Sequence, residues 1–185
     1  MPERAARSRH SPGTGLPLSG SGIRKAIDLS PPFFNIVLVE PEIPQNTGNI
    51  ARTCAAAGAR LHLIKPLGFV LTDRRLRRAG ADYWGDVDLI LHDNLEAFFW
   101  ETSAERCLYF SKKAARPYTE MPVEENAFLV FGRETEGLPE ELLAAHAGRT
   151  FRIPMRAGAR SLNLSNAVAV VLYEALRLRG FPGLK

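Results

Sequence analysis

Short continuous apolar runs alternate along this chain with longer segments of helical pattern. The runs Phe34–Val39, Cys107–Phe110 and Ala127–Phe131, with 61–64, 87–91 and 151–153, have the length and composition of buried strands. Between them helices are predicted. One is opened by Asn46 or Thr47 and stopped by Gly58. A short basic one spans 74–79, opened by Thr72 or Asp73 and closed by Gly80. A third covers 94–101 with Asp93 as cap, and a fourth reaches His146 with Pro139 in its first turn. The longest covers 163–179 and is stopped by Gly180 and Pro182. Alternating strands and helices predict an α/β domain with a mainly parallel sheet and helices on both faces. Ligands in such sheets sit beyond the C-terminal strand ends. The polar segments 40–49, 111–117, 132–138 and 154–163 fall there. Residues 1–33 have no periodicity and mix Pro, Gly, Ser and Arg, which predicts a disordered basic arm ahead of one domain, 34–185. The glycines at 13, 15, 20 and 22 lack the flanking strand and helix of a dinucleotide fingerprint.

Composition narrows the class. A chain of 185 residues, 45% hydrophobic, suits one packed domain rather than two large ones. No apolar run approaches the roughly 18–20 residues that cross a bilayer, so no membrane contact is expected. The arm has no apolar core of a secretory signal. It can be read as an RNA tether, a transit segment or an extension of the gene model. Cys54 and Cys107 are lone thiols far apart, which suggests a reducing, cytoplasmic setting. His10, His62, His92 and His146 are scattered, and no Cys/His spacing resembles a metal site, so no metal is expected. All six read as surface or core fillers. The net charge of +4 is uneven. Five of the 24 Lys and Arg and two of the 20 Asp and Glu lie in residues 1–34, leaving 19 basic and 18 acidic residues in the remainder. An RNA-binding argument must therefore rest on local clusters.

Three segments carry more polar chemistry than packing needs. In Asn46-Thr47-Gly48-Asn49-Ile50-Ala51-Arg52 a helix start offers free N–H groups and partial positive charge, and Arg52 can reach a phosphate. Its plainer reading is a capped helix with a surface arginine. In Phe131-Gly132-Arg133-Glu134-Thr135-Glu136-Gly137-Leu138-Pro139 a strand ends in glycine and a polar loop, fit to clasp a small ligand. Its plainer reading is a connection whose acids aid solubility. The third is Arg152-Ile153-Pro154-Met155 with Arg160-Ser161-Leu162-Asn163-Leu164-Ser165-Asn166-Ala167. Ser161, Asn163, Ser165 and Asn166 exceed the needs of one helix cap and suggest a binding wall. The helix that follows is apolar on several sides, as in a core or an interface.

In order and spacing these segments resemble the three motifs of the SPOUT methyltransferase superfamily. Residues 35–49 and Arg75-Leu76-Arg77-Arg78-Ala79-Gly80 are similar to the TrmL (YibK) type of tRNA 2′-O-methyltransferase. The resemblance covers roughly 34–184 and omits the arm. It implies an α/β fold with a C-terminal trefoil knot, S-adenosyl-L-methionine as methyl donor, and a homodimer through the last helix with a site that uses both chains. It places the donor against Phe110, Gly132, Ile153, Ser161 and Leu162. It points to Arg52, Asn46 and Asn163 for catalysis, and to the ribose of the wobble nucleotide of tRNA, a cytidine or modified uridine, as target. Gly132 would let the ligand approach the backbone. Arg74, Arg77 and Arg78, which share a helix face, and Tyr173 would meet RNA, as would Lys112, Lys113 and Arg116.

Other readings remain open on residues alone. One keeps the chemistry and changes the ribose, in tRNA or rRNA. Another is a non-catalytic RNA-binding module, against which Arg52, Glu134 and Asn163 stand intact. A nicotinamide enzyme lacks its glycine fingerprint and has Lys65 where an acid belongs.

Overall fold

The structure, a computed structural model, describes residues 33–71 and 86–185. The predicted helix at 74–79 lies outside the described residues. In chain order the elements are β1 (Phe34–Val39), α1 (Pro44–Ala57), β2 (Arg60–Ile64), β3 (Leu89–His92), α2 (Leu95–Glu101), β4 (Cys107–Phe110), β5 (Arg116–Pro117), β6 (Ala127–Phe131), α3 (Glu140–Ala145), β7 (Thr150–Arg152) and α4 (Leu164–Leu178). The strands form one sheet in the order β3-β2-β1-β6-β4-β7-β5, and every pairing is parallel. The two-residue edge strand β5 was not expected. It pairs through Arg116 and Pro117 alone, too short to leave a periodic signal.

Both sheet faces are covered, which is why the strands read as unbroken apolar runs. Phe34, Ile36 and Leu38 of β1 pack with Ile50 and Cys54 of α1 and Val168, Val171 and Leu172 of α4. Val37 and Val39 point the other way, to Phe98 of α2, Leu138 and the half-buried Leu142 and Leu143. The period-two alternation of a strand thus feeds two cores at once.

Helix ends differ in detail from expectation. α1 begins at Pro44, whose ring presets the first helical φ and whose missing N–H is no loss there. Ile43 occupies the N-cap position without a side-chain bond, so neither Asn46 nor Thr47 caps. Asn94, not Asp93, caps α2, accepting from the Ala97 N–H at 2.7 Å. Asp93 instead pairs with Lys65 at 2.8 Å. Pro139 stands just ahead of α3 and not in its first turn.

Two of the scattered histidines meet in the core. His62 and His92 stack in parallel, and both are buried. Asn35 donates through Nδ2 to the Asn126 carbonyl at 3.3 Å, so its Oδ1 faces His62 Nε2 at 3.2 Å. His62 Nε2 therefore carries the proton, and His62 Nδ1 accepts from His92 Nε2 at 2.9 Å. Burial first, and then the neighbouring His92, pushes the His62 pKa down to about 3 from its usual 6.5. The unfolded chain thus binds more protons than the folded chain between these values. His62 contributes stability that is complete above about pH 6.5 and is lost as pH falls towards 3. Urea midpoints measured from pH 7 to pH 4 are expected to fall with acidification, and His62→Gln is expected to flatten that fall. An equal slope in both proteins would remove His62 as its source.

Candidate active site

β1 runs to one side of the sheet through β2 and β3, and β6 to the other through β4 and β7. Their shared border is the topological switch point, where the loops diverge and leave a crevice. Four segments converge there: 40–43 after β1, 111–113 after β4, 132–138 after β6 and 153–163 after β7. They enclose a cleft of about 520 Å³. That lies within the range of roughly 300–1,000 Å³ usual for small-molecule sites.

One carboxylate ties these segments together. Glu134 accepts from the backbone N–H of Glu42 at 2.9 Å and of Ile43 at 3.3 Å, and from Asn46 Nδ2 at 2.9 Å. A carboxylate can only accept, so this contact sets the Asn46 amide with its oxygen outward. That oxygen takes Asn163 Nδ2 at 2.9 Å. Asn163 Oδ1 then faces the Ser165 N–H at 2.9 Å and the Ser165 hydroxyl at 2.6 Å, capping α4. The three motif segments are thus joined by an ordered chain of hydrogen bonds. The negative end of the chain also lies at the N-terminus of α1, where a carboxylate is favoured.

A second set of contacts reinforces the first. Thr135 donates to the Glu42 carboxylate through its N–H at 3.1 Å and its hydroxyl at 2.9 Å. Arg133 pairs with Glu40. Loops 40–43 and 133–136 therefore each hold the other.

Gly132 has a reason different from the one expected. Arg133 and Gly137 exchange backbone hydrogen bonds of 3.2 and 3.0 Å, folding the loop back over Gly132. A Cβ on Gly132 would lie 2.1 Å from the Gly137 carbonyl carbon and 2.2 Å from the Leu138 nitrogen. The chain's own backbone, before any ligand, excludes a side chain there.

The structure brings most of the sequence-derived site together. Phe110, Gly132, Ile153, Ser161 and Leu162 all line the cleft, as do Asn46 and Asn163. Phe110 stacks on Phe131, with ring centroids 4.9 Å apart, and gives the cleft an aromatic wall. Arg52 is exposed on α1 and is not among the cleft's lining residues. Tyr173 is exposed on α4. Arg74, Arg77 and Arg78 lie outside the described residues. Of the other basic cluster, Lys112 and Lys113 line the cleft, but Lys113 pairs with Glu140. Arg116 is held by Glu120 and the Gly148 carbonyl and lies over the Phe151 ring. Glu42 and Thr135 were not singled out from sequence, because no spacing rule links positions so far apart. Among the described residues no group of three or more His, Cys, Asp or Glu is placed to hold a metal ion.

The SpoU rRNA Methylase family matches residues 34–173. The chain belongs to that family. The tRNA (cytidine(34)-2'-O)-methyltransferase of Saccharophagus degradans is 52% identical over 154 residues, 83% of this chain and 100% of that one. A solved structure concerned with 2-OH methylation of C/U34 on tRNA is 49% identical, with a TM-score of 0.75, and the match covers 80% of this chain and 97% of that one. An AdoMet-bound rRNA methyltransferase from Sinorhizobium meliloti is 29% identical at a TM-score of 0.71, over 78% of this chain and 56% of that one. The resemblance to SPOUT methyltransferases read from the motifs is thus correct, and the observed α/β fold with a parallel sheet is the expected one. The trefoil knot follows from family membership, not from strand order.

Two substitutions probe this methylase site. Glu134→Gln keeps the shape but turns an amide N–H towards backbone donors. Hydrogen bonds to a charged group are worth roughly 1.5–3 kcal/mol each, so a loss of about 2–4 kcal/mol is expected in chemical denaturation. Gly132→Ala is expected to abolish ligand binding in the cleft by displacing loop 132–138. Unchanged donor affinity in that variant would show that the loop can yield.

Proposed function

We propose that this chain is an S-adenosyl-L-methionine-dependent tRNA 2′-O-methyltransferase acting on the wobble ribose of the anticodon, a cytidine or modified uridine at position 34. The carrying observation is the Glu134–Asn46–Asn163 link, which gathers three motif segments around one cleft at the sheet's switch point. Support for the target comes from relatives such as the Saccharophagus protein, whose whole length the match spans.

The donor supplies a methyl group on a sulfonium, so the chain's task is to align the ribose oxygen and remove its proton. The cleft suits such a donor. Phe110, Ile153 and Leu162 offer apolar surface to adenosine, and Ser161 with the backbone around Gly132 offers polar contacts. Asn46 and Asn163 act by positioning, since their amides are engaged in holding the walls. Arg52 binds the nucleotide phosphate, which lowers the cost of releasing the hydroxyl proton to solvent or relays that proton outward as the methyl group passes from sulfur to oxygen. A guanidinium with a pKa above about 12 is a poor base.

The assembly in this reading is a homodimer through α4. That helix buries Val168, Val171, Leu172 and Ala175, yet leaves Val170 and Tyr173 at 39% and 44% exposure on its outer side. Arg52 stands outside the lining of its own cleft, which suits a site completed by two copies. The enzyme would work on tRNA in the cytoplasm. Among the described residues no helix is long and apolar enough to cross a membrane.

Mass mapping of tRNA from a deletion strain is expected to lack the 2′-O-methyl group at position 34 and to regain it on complementation. Loss at another ribose would overturn the target. Arg52→Ala is expected to lose turnover at least a hundredfold, a typical scale for an assisting group, while calorimetry finds donor affinity near that of the parent. Full turnover in that variant would refute the arginine's role.

A further inference from the structure

The exposed cations among the described residues fall into two groups. Lys65, Lys113, Arg116, Arg133, Arg177 and Arg179 each hold a carboxylate. At the mouth of the cleft the pattern breaks. No Asp or Glu stands anywhere between Glu141 and Glu174, a span that carries Arg149, Arg152, Arg156 and Arg160. Arg149 is used by the fold, donating to the Cys107 carbonyl at 2.9 Å. Arg156 and Arg160 are exposed, and neither side chain has a hydrogen bond or ion pair among the described residues.

Local geometry brings these two together and adds a third charge. Gly158 takes a φ of 84°, and the Ala159 N–H returns to the Arg156 carbonyl at 3.1 Å, so the loop turns tightly between the arginines. Lys112 lies across from them, its Nζ donating to the Arg160 carbonyl at 3.3 Å. Lys112, Met155 and Ser161 all line the cleft, so the basic loop forms its edge. Clustered like charges repel, and unlike the six cations named above, Lys112, Arg156 and Arg160 hold no carboxylate among the described residues. Such a patch attracts a polyanion, and its attraction is greatest beside a low-dielectric cleft.

We infer that Lys112, Arg156 and Arg160 form a phosphate-binding rim that holds the RNA backbone beside the reacting nucleotide. This rests on the tRNA reading and adds to it a surface that grips the strand at the cleft mouth. The contacts are to phosphates, so they set the register of the strand and carry no base preference.

The test is binding of a transcribed tRNA with cytidine at position 34, measured across a salt series, for the parent and for R156Q/R160Q. Each phosphate contact contributes a slope of roughly 0.7–0.9 in log affinity against log salt. The double variant is expected to lose about 1.4–1.8 units of slope and to bind about tenfold or more weakly at 0.15 M salt. Donor affinity by calorimetry should stay near the parent's and reports that the fold is intact. R156K/R160K should recover the slope, since an ammonium serves as a phosphate contact. Arg156→Gln alone, at a side chain the fold does not use, should lose roughly 0.7–0.9 unit. An unchanged slope in a variant that still binds donor overturns the rim. So does a fall in donor affinity with the RNA slope intact, which would assign the arginines to the donor's carboxylate. A parent that binds tRNA with steep salt dependence but transfers no methyl group to it fails the function proposed above and leaves the rim standing. A parent that binds no RNA fails both.

Discussion

A single acceptor-only group organises this molecule's working end. The Glu134 carboxylate receives two backbone N–H groups from the segment after β1 and one amide N–H from Asn46. Because it cannot donate, it dictates which way the Asn46 amide turns. Asn46 in turn dictates Asn163, and Asn163 caps α4. Orientation passes from a charge through two amides to a helix without ambiguity. The energetic weight is concentrated there too. Hydrogen bonds to a charge contribute roughly 1.5–3 kcal/mol each, whereas exposed pairs such as Arg60–Asp88 or Arg177–Glu174 typically contribute about 0–1 kcal/mol.

The clasp separates two kinds of polar residue that look alike in sequence. Asn46, Glu134 and Asn163 are spent inward, on each other. Arg52, Tyr173, Arg156 and Arg160 face outward, where a nucleic acid or a second subunit can reach them. A rigid frame with exposed contacts suits transfer chemistry that depends chiefly on alignment. The apolar half of the cleft, with Phe110 stacked on Phe131, is held in the same frame because both strands lie at the sheet's centre.

Much of this was legible beforehand. The apolar runs of β1, β4 and β6 were read to the residue, because strands buried on both faces are almost wholly apolar, Asn35 in β1 being the exception. The lining of the cleft by Phe110, Gly132, Ile153, Ser161 and Leu162 followed from motif resemblance, and the motifs are local. What escaped were choices between neighbours and meetings between strangers. Asn94 and Asp93 are both good caps, and in the fold Asp93 is engaged by Lys65, just past the end of β2, while Asn94 caps the helix. His62 and His92 appear isolated until parallel pairing of β2 and β3 sets them on the same face of neighbouring strands, two register steps apart.

Taken by itself, then, the sequence determined the α/β class, the order of its elements, the family and the segments that form the site. Periodicity and motif are properties of contiguous residues, so they survive without coordinates. Tertiary structure alone decided that Gly132 is required by the chain's own backbone and that Arg116 belongs to the fold. It also decided that Glu42 and Thr135 latch two loops, and that Met155 and Ser161, on either side of the loop carrying Arg156 and Arg160, line the cleft. These are facts about partners distant along the chain. A hydrogen bond or an excluded methyl group acts through space, over a few ångströms, whatever the separation in sequence.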